Sequence, residues 1–158
     1  MTTTPPLPRA GLWRRLAALL YDGFLVAAIW MLLGYLVQLV AGTEGNRLVD
    51  GRVQTDPVMD VIIFSLMLIS AAGFYIWFWT RSGQTLGMLA WRMKLLNHND
   101  QLVDTRQGLI RWLAAWPAFF CAGIGFLWLY VDQQGDALHD IASGSKVVVL
   151  PKSDSLLQ

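Results

Sequence analysis

The sequence predicts an all-α membrane protein: a small transmembrane helical bundle with two complete spans, a third apolar segment broken by proline and glycine, and a short cytoplasmic β element. Three observations carry that prediction. Hydrophobic residues make up 55% of the 158 positions before the 14 glycines are counted, whereas soluble domains reach about 45–50% with glycine included. Charged residues fall to 15%, against about 25% in an ordinary soluble chain. The apolar residues also gather into three runs of about 20 residues or more, the length a helix needs to cross a bilayer.

Residues 1–10, MTTTPPLPRA, are short, polar and proline-bearing, and are expected to form a disordered lead. The first apolar run, Leu16 to Ala41, follows Arg14 and Arg15. It is too long for the core of a signal peptide and no A-x-A site closes it, so it reads as a retained helix. At 1.5 Å per residue it would be about 39 Å long, more than the roughly 30 Å of hydrocarbon it must cross.

GTEGNRLVDGRVQTDP follows as a polar loop. Its end starts a helix, with Asp56 as N-cap, Pro57 at the first helical position and Asp60 in the first turn. The second span runs from Val61 to Thr80. Arg9, Arg14 and Arg15 precede the first span, only Arg47 and Arg52 separate the two, and Arg81, Arg92, Lys94, Arg106 and Arg111 follow the second. Basic residues mark the cytoplasmic side, so the amino terminus and the Arg81–Arg111 region are expected inside. Trp13, Trp77, Trp79, Trp91 and Trp112 fall at the same boundary, as an aromatic belt would.

In the region after the second span, Thr85 is positioned to cap a short helix whose apolar stripe suits a membrane surface. RMKLL, NHND and QLVD read as strand, turn and strand, and KVVVL as a further strand. The third apolar segment, Trp112 to Val131, is long enough to cross, yet Pro117, Gly123 and Gly125 suit a re-entrant hairpin. A crossing puts the carboxyl tail outside and a hairpin returns it inside. Residues 151–158 read as a flexible tail and 11–150 as the membrane domain.

Asp22 is the one charge within the first span. Arg15 lies seven residues earlier, nearly on the same helix face. The two would be about 10.5 Å apart along the axis, with Arg15 leaning away, so each needs a partner from elsewhere. Arg81, Arg92 and Arg111 are the candidates for Asp22, and Asp140 is the candidate for Arg15, since charges at membrane depth find partners. The Asp140 pairing requires the tail to be inside, which would also let KVVVL meet MKLL.

AGLWRRLAALLYD, SGQTLGMLAWRMKLLNHND, LIRW and LHDIASGSKVVV occur in that order. With them the chain resembles the RDD family of small bacterial membrane proteins, named for one arginine and two aspartates, over Ala10 to Leu150. The resemblance carries only those three, onto Arg15, Asp22 and Asp140; Arg92, Arg111 and His139 are supporting candidates for the same charge set on their own residue types. Met88 stands where many members have lysine, and Ser145 where many have threonine. For the family, transport of undefined ligands has been suggested, and sodium/proton exchange for some members. The resemblance therefore implies a membrane protein in which Asp22 would carry a cation or proton.

Two functional classes remain open from the residues. The leading one is an inner-membrane protein for ion or small-solute transport, with Asp22 as the carrier and Arg15 and Asp140 setting its electrostatics; the alternative is a non-catalytic accessory or assembly protein whose charges only lock helix register. Enzyme chemistry has little to stand on. His139 lies near Ser143 and Ser145, but no nucleophile elbow or oxyanion motif accompanies them. No spacing suggests a metal, GQTLG is no phosphate loop, and no cofactor is implied. Cys121 alone cannot form an internal disulfide. The net charge of +1 offers no footprint for nucleic acid. The expected partners are the lipid bilayer and, because three short segments enclose little, a second copy or another membrane protein.

Overall fold

The computed structural model describes residues 7–42, 47–54, 56–120 and 123–151. Two helices dominate it, α1 over Leu12–Ala41 and α2 over Pro57–Arg81. Both are long and apolar enough to cross a membrane, and nearly all their surface faces outward. Each starts about four residues before the apolar run does, because Trp13 to Arg15 and the capped Asp56–Asp60 turn are also helical. Asp56 accepts the amide of Val58 at 2.8 Å, as an N-cap should.

Contacts divide the chain into two units, one of residues 1–22 with 75–158 and the other of residues 23–74. The second unit holds most of both long helices and a hairpin of β1 (Arg47–Val49) and β2 (Arg52–Gln54) in what was expected to be loop. Its turn is Asp50–Gly51, both at positive φ, the conformation that a two-residue hairpin turn with right-handed twist requires. Trp30 Nε1 donates to the carbonyl of Met67 at 3.0 Å and joins the two helices there.

The first unit contains everything else. Thr85 caps α3 (Leu86–Ala90), its hydroxyl accepting the Met88 amide at 3.2 Å. β3 (Met93–Asn97) follows and pairs antiparallel with β4 (Ser145–Val149) near the other end of the chain. QLVD is not a strand. The Asn97 side chain accepts the amides of Asn99 and Gln101 and turns the chain, and Asp104 caps the next helix by accepting from Gln107 N at 2.6 Å. Residues 8–10, expected to be disordered, run beside β4, with Val149 N on Pro8 O at 2.8 Å and Ala10 N on Val147 O at 2.9 Å. Residues 1–6 and 152–158 lie outside the described residues, as does Cys121.

The third apolar segment is α4 (Thr105–Phe120), α5 (Ile124–Leu127) and a 3₁₀ turn over Trp128–Tyr130. The two pieces are bent by 109°. Pro117 sits inside α4 without ending it, whereas Gly123, with φ of 74°, starts α5 in a conformation that L side chains rarely adopt. The bend brings Gly125 against Ala118, so close that a Cβ on Gly125 would lie 2.2 Å from the Ala118 methyl. The last helix is α6 (Leu138–Ser143), which Gly144 ends before β4. The core of this unit is built by Ala10, Ala18, Trp79, Met88, Met93, Leu95, Val103 and Val147. Trp79 and Trp112 therefore turn inward, while Trp13, Trp77 and Trp91 stay exposed as belt residues would.

Candidate functional site: a buried arginine–aspartate cluster

Asp140 is the centre of the site. It stands at the third position of α6, and its Oδ2 accepts the amide of Ala137 at 2.9 Å, which ties the helix start down. The same oxygen accepts Arg15 Nη1 at 2.5 Å. Its Oδ1 accepts Arg111 Nη1 from α4, and that nitrogen also donates to Ser145 Oγ at 2.8 Å. One carboxylate with no exposed surface thus joins α1, α4 and α6. The Arg15–Asp140 pairing expected from the sequence is present. Arg111, expected as a partner for Asp22, belongs to Asp140 instead.

Packing reinforces the cluster. The Arg111 guanidinium lies 5.3 Å from the centroid of the Trp79 ring, within the range of a cation–π contact. Arg15 Nε donates to the carbonyl of Ala10 at 2.8 Å. Ser143 and Ser145 share a hydrogen bond at 2.7 Å, and Gln107 Nε2 donates to the carbonyls of Ser143 and Gly144. Arg9 pairs with Asp136 just before α6, Nε to Oδ1 at 2.9 Å. Burial alone would raise the pKa of Asp140, but Arg111 and Arg15 outweigh it and hold the carboxyl well below the usual range. His139 is buried beneath Phe126, with ring centroids 4.8 Å apart. Burial first, and then Arg111, push its pKa down to about 3, so it is neutral at physiological pH.

Asp22 forms a second, separate arrangement. Its Oδ2 accepts the hydroxyl of Thr85 at 2.5 Å and its Oδ1 accepts the amide of Gly87 at 2.8 Å. Neither Arg81 nor Arg92 reaches it. Arg81 lies over the Trp77 ring, and Arg92 contributes its carbonyl, which accepts Leu150 N at 2.8 Å. The expected charged partner is replaced by a hydroxyl and a peptide amide from the first turn of α3. Gly87 is required because the backbones nearly touch: a Cβ there would lie 2.3 Å from the carbonyl oxygen of Ala18. Met88, where many resembling sequences carry lysine, is a core residue and not a missing surface charge.

Arg15, Ala18 and Asp22 are buried by protein in the first unit. The rest of α1, Gly23 to Ala41, is 19 residues, or about 28 Å, close to the hydrocarbon thickness by itself. The carboxylate therefore does not require a place among the lipid chains. Thr85, Gly87, Ser145, Gln107 and Asp136 were not singled out as partners from the sequence. The capping role of Thr85 was legible, but nothing local tells that its hydroxyl also serves a residue 63 positions away. No group of three or more His, Cys, Asp or Glu able to hold a metal occurs among the described residues.

Two apolar helices of spanning length, joined to a compact unit built on a buried Arg–Asp–Arg cluster, define an integral membrane protein of the bilayer-spanning helical class. The chain belongs to the RDD family, whose model matches residues 9–144 and so includes Arg15, Asp22, Arg111, His139 and Asp140. It is also similar to an uncharacterized protein of Rickettsia prowazekii (strain Madrid E), at 25% identity over 91 residues, 58% of this chain and 51% of that protein. The chain thus spans about half the length of the curated relative it matches. No solved structure matches.

Proposed function

We propose that this is a bacterial inner-membrane protein with both termini on the cytoplasmic side, acting as a non-catalytic accessory or assembly component whose arginine–aspartate set locks its fold. The observation that carries the reading is the saturation of Asp140. Both oxygens are engaged by Arg15, Arg111 and the Ala137 amide, with no exposed surface left for a ligand. A buried charge with its bonds so satisfied specifies geometry, and removing one member strands the others. The orientation rests on Arg14, Arg15, Arg81, Arg92, Lys94 and Arg106 lying on one side of the spans, against Arg47 and Arg52 in the intervening loop. The pairing of β4 with residues 8–10 supports a shared side for the termini. A non-enzymatic role is supported by Ser143, whose hydroxyl engages the carbonyls of His139 and Asp140 and the Ser145 hydroxyl instead of the imidazole. A partner protein or a second copy belongs to this reading.

One observation favours cation or proton transport as a second reading: Asp22 is held by neutral donors only, so its charge has no fixed counterion among the hydrogen-bonded groups. Asp22→Asn separates the two. The amide can accept from Gly87 N and donate to Thr85 Oγ1, so it keeps both bonds and removes the charge. Under the accessory reading, everted vesicles carrying either form show the same sodium- or potassium-driven proton movement as vesicles without the protein. Exchange by the native chain that disappears in a normally folded Asp22→Asn would replace the accessory reading with transport.

A further inference from the structure

We infer that α4 and α5 form a wedge seated in one leaflet of the bilayer, covered by the acyl chains of the leaflet next to the amino terminus, and that they never cross it. Length comes first. Arg111 is fixed to Asp140, which is fixed to Arg15 at the start of α1. Beyond that anchor α4 has nine residues, Trp112 to Phe120, a rise of about 14 Å against roughly 30 Å of hydrocarbon. The chain then bends by 109° and folds back, Gly125 packing on Ala118. The return is fixed at the point of departure. The Phe126 ring lies against His139, and the next residue is Asp140, the partner of Arg111. A segment that leaves and rejoins one ion-pair cluster cannot deliver its end to the other side.

The surface of this hairpin says what covers it. Leu113, Phe119, Phe120, Ile124 and Leu127 are all exposed, an apolar stretch that water does not tolerate well. Trp116, Trp128 and Tyr130 lie among them and are also exposed, the residue types that settle at the headgroup level. The hairpin is continuous with a unit that carries the ends of both spanning helices: a Cβ on Gly108 of α4 would lie 3.5 Å from the Ile76 side chain of α2, an ordinary packing distance. A bilayer is therefore adjacent to it by construction. Irregular backbone at membrane depth is tolerated where it is packed on protein, which the Gly125–Ala118 contact supplies.

The test is a depth measurement. Nitroxide labels are attached through Phe120→Cys and Ile124→Cys in a Cys121→Ser background, with Leu113→Cys and Leu127→Cys as a second pair should the first fail to fold. The full chain is reconstituted in phosphatidylethanolamine–phosphatidylglycerol vesicles. Collision with oxygen is compared with collision with a water-soluble nickel chelate, using Ile69→Cys on α2 as the lipid reference and Asn99→Cys as the water reference. Tail reporters fused to each end report their sides in intact cells. The wedge requires oxygen-dominated collision matching Ile69→Cys, a depth short of the bilayer centre, and both reporters on one side. Chelate-dominated collision like that of Asn99→Cys overturns it, because the hairpin then faces water. Exclusion of both reagents overturns it in favour of a covering protein, and reporters on opposite sides overturn it in favour of a full crossing.

Discussion

Residues Leu12 to Asp22 and residues Gly23 to Ala41 are turns of the same helix, yet they bury different chemistry. The first eleven turn Arg15, Ala18 and Asp22 into protein, and the polar pair each find bonds there. Among the nineteen that follow, only Val26 is buried. Glycines inside helices divide the same way. In the first unit a methyl group on Gly87 or Gly125 would meet another atom well inside contact distance, while Gly34 and Gly73 in the second have nothing within 4 Å. Charge and close packing thus coincide, and both stop where the helix leaves the first unit. Arg15 and Asp22, the charged residues buried along α1, both lie where protein surrounds the helix.

The largest test of that contrast is Asp140→Asn. It leaves Arg15 and Arg111 buried with no opposing charge, and breaking a buried pair from one side costs about 3–5 kcal/mol. Thermal unfolding in mild detergent should fall sharply, and the steady-state level in the membrane with it. Asp60→Asn, an exposed acid in the first turn of α2, should cost under about 1 kcal/mol, the scale of a helix-dipole term. Equal losses would abolish the distinction between the two units.

Gly87→Ala comes next. The added methyl must push α3 away from the Ala18 carbonyl, stretching both bonds to Asp22. Overpacking of this kind costs about 1–3 kcal/mol. The measurement is again detergent unfolding, and an unchanged midpoint would show that the α1–α3 approach is looser than the bonds to Asp22 imply.

What the sequence revealed, and what it hid, follows from the kinds of partner involved. The spans, the Thr85 cap, the β3–β4 pairing and the Arg15–Asp140 pair were all legible, because length, capping chemistry, β-branched runs and opposite charges are visible in the residues. The partners of Asp22 were not. A search for opposite charge points to Arg81, Arg92 and Arg111, while the residues actually used are a hydroxyl and a peptide amide, which every stretch of chain offers. The hairpin at Asp50–Gly51 was readable from its turn dipeptide, but strands of three residues carry no alternation to support it. QLVD has strand composition, yet it meets β3 only at Gln101, whose carbonyl accepts the Asn97 amide, while the Leu95 amide is taken by the carbonyl of Gly83.

Acid should act through the first unit. His139, held near pKa 3, stays neutral in the fold while an unfolded histidine protonates below about pH 6.5. The unfolded chain then binds more protons, so stability falls as pH drops from about 6.5 toward 3, by about 1.4 kcal/mol per pH unit at most. Asp140, with its pKa lowered by the two arginines, adds a loss only below the ordinary carboxylate range. Unfolding of His139→Gln between pH 4 and 7 should therefore be flatter than that of the native chain. A parallel decline in both would assign the acid response to other groups.

The smallest effect probes the second unit, whose helices carry no buried ion pair among the described residues. Gly34 and Gly73 lie inside helices with free space where a Cβ would go. Replacing a mid-helix glycine by alanine removes backbone freedom from the unfolded chain and favours the helix by about 0.5–1 kcal/mol. Gly34→Ala and Gly73→Ala should then leave thermal unfolding unchanged or raise its midpoint slightly, and leave the particle size in detergent unchanged. A fall in both midpoint and size would carry a different message. The open faces of α1 and α2 would then be where another copy packs, since close helix approach in lipid uses small residues, and what the second unit lacks in internal contacts would be supplied from outside the chain.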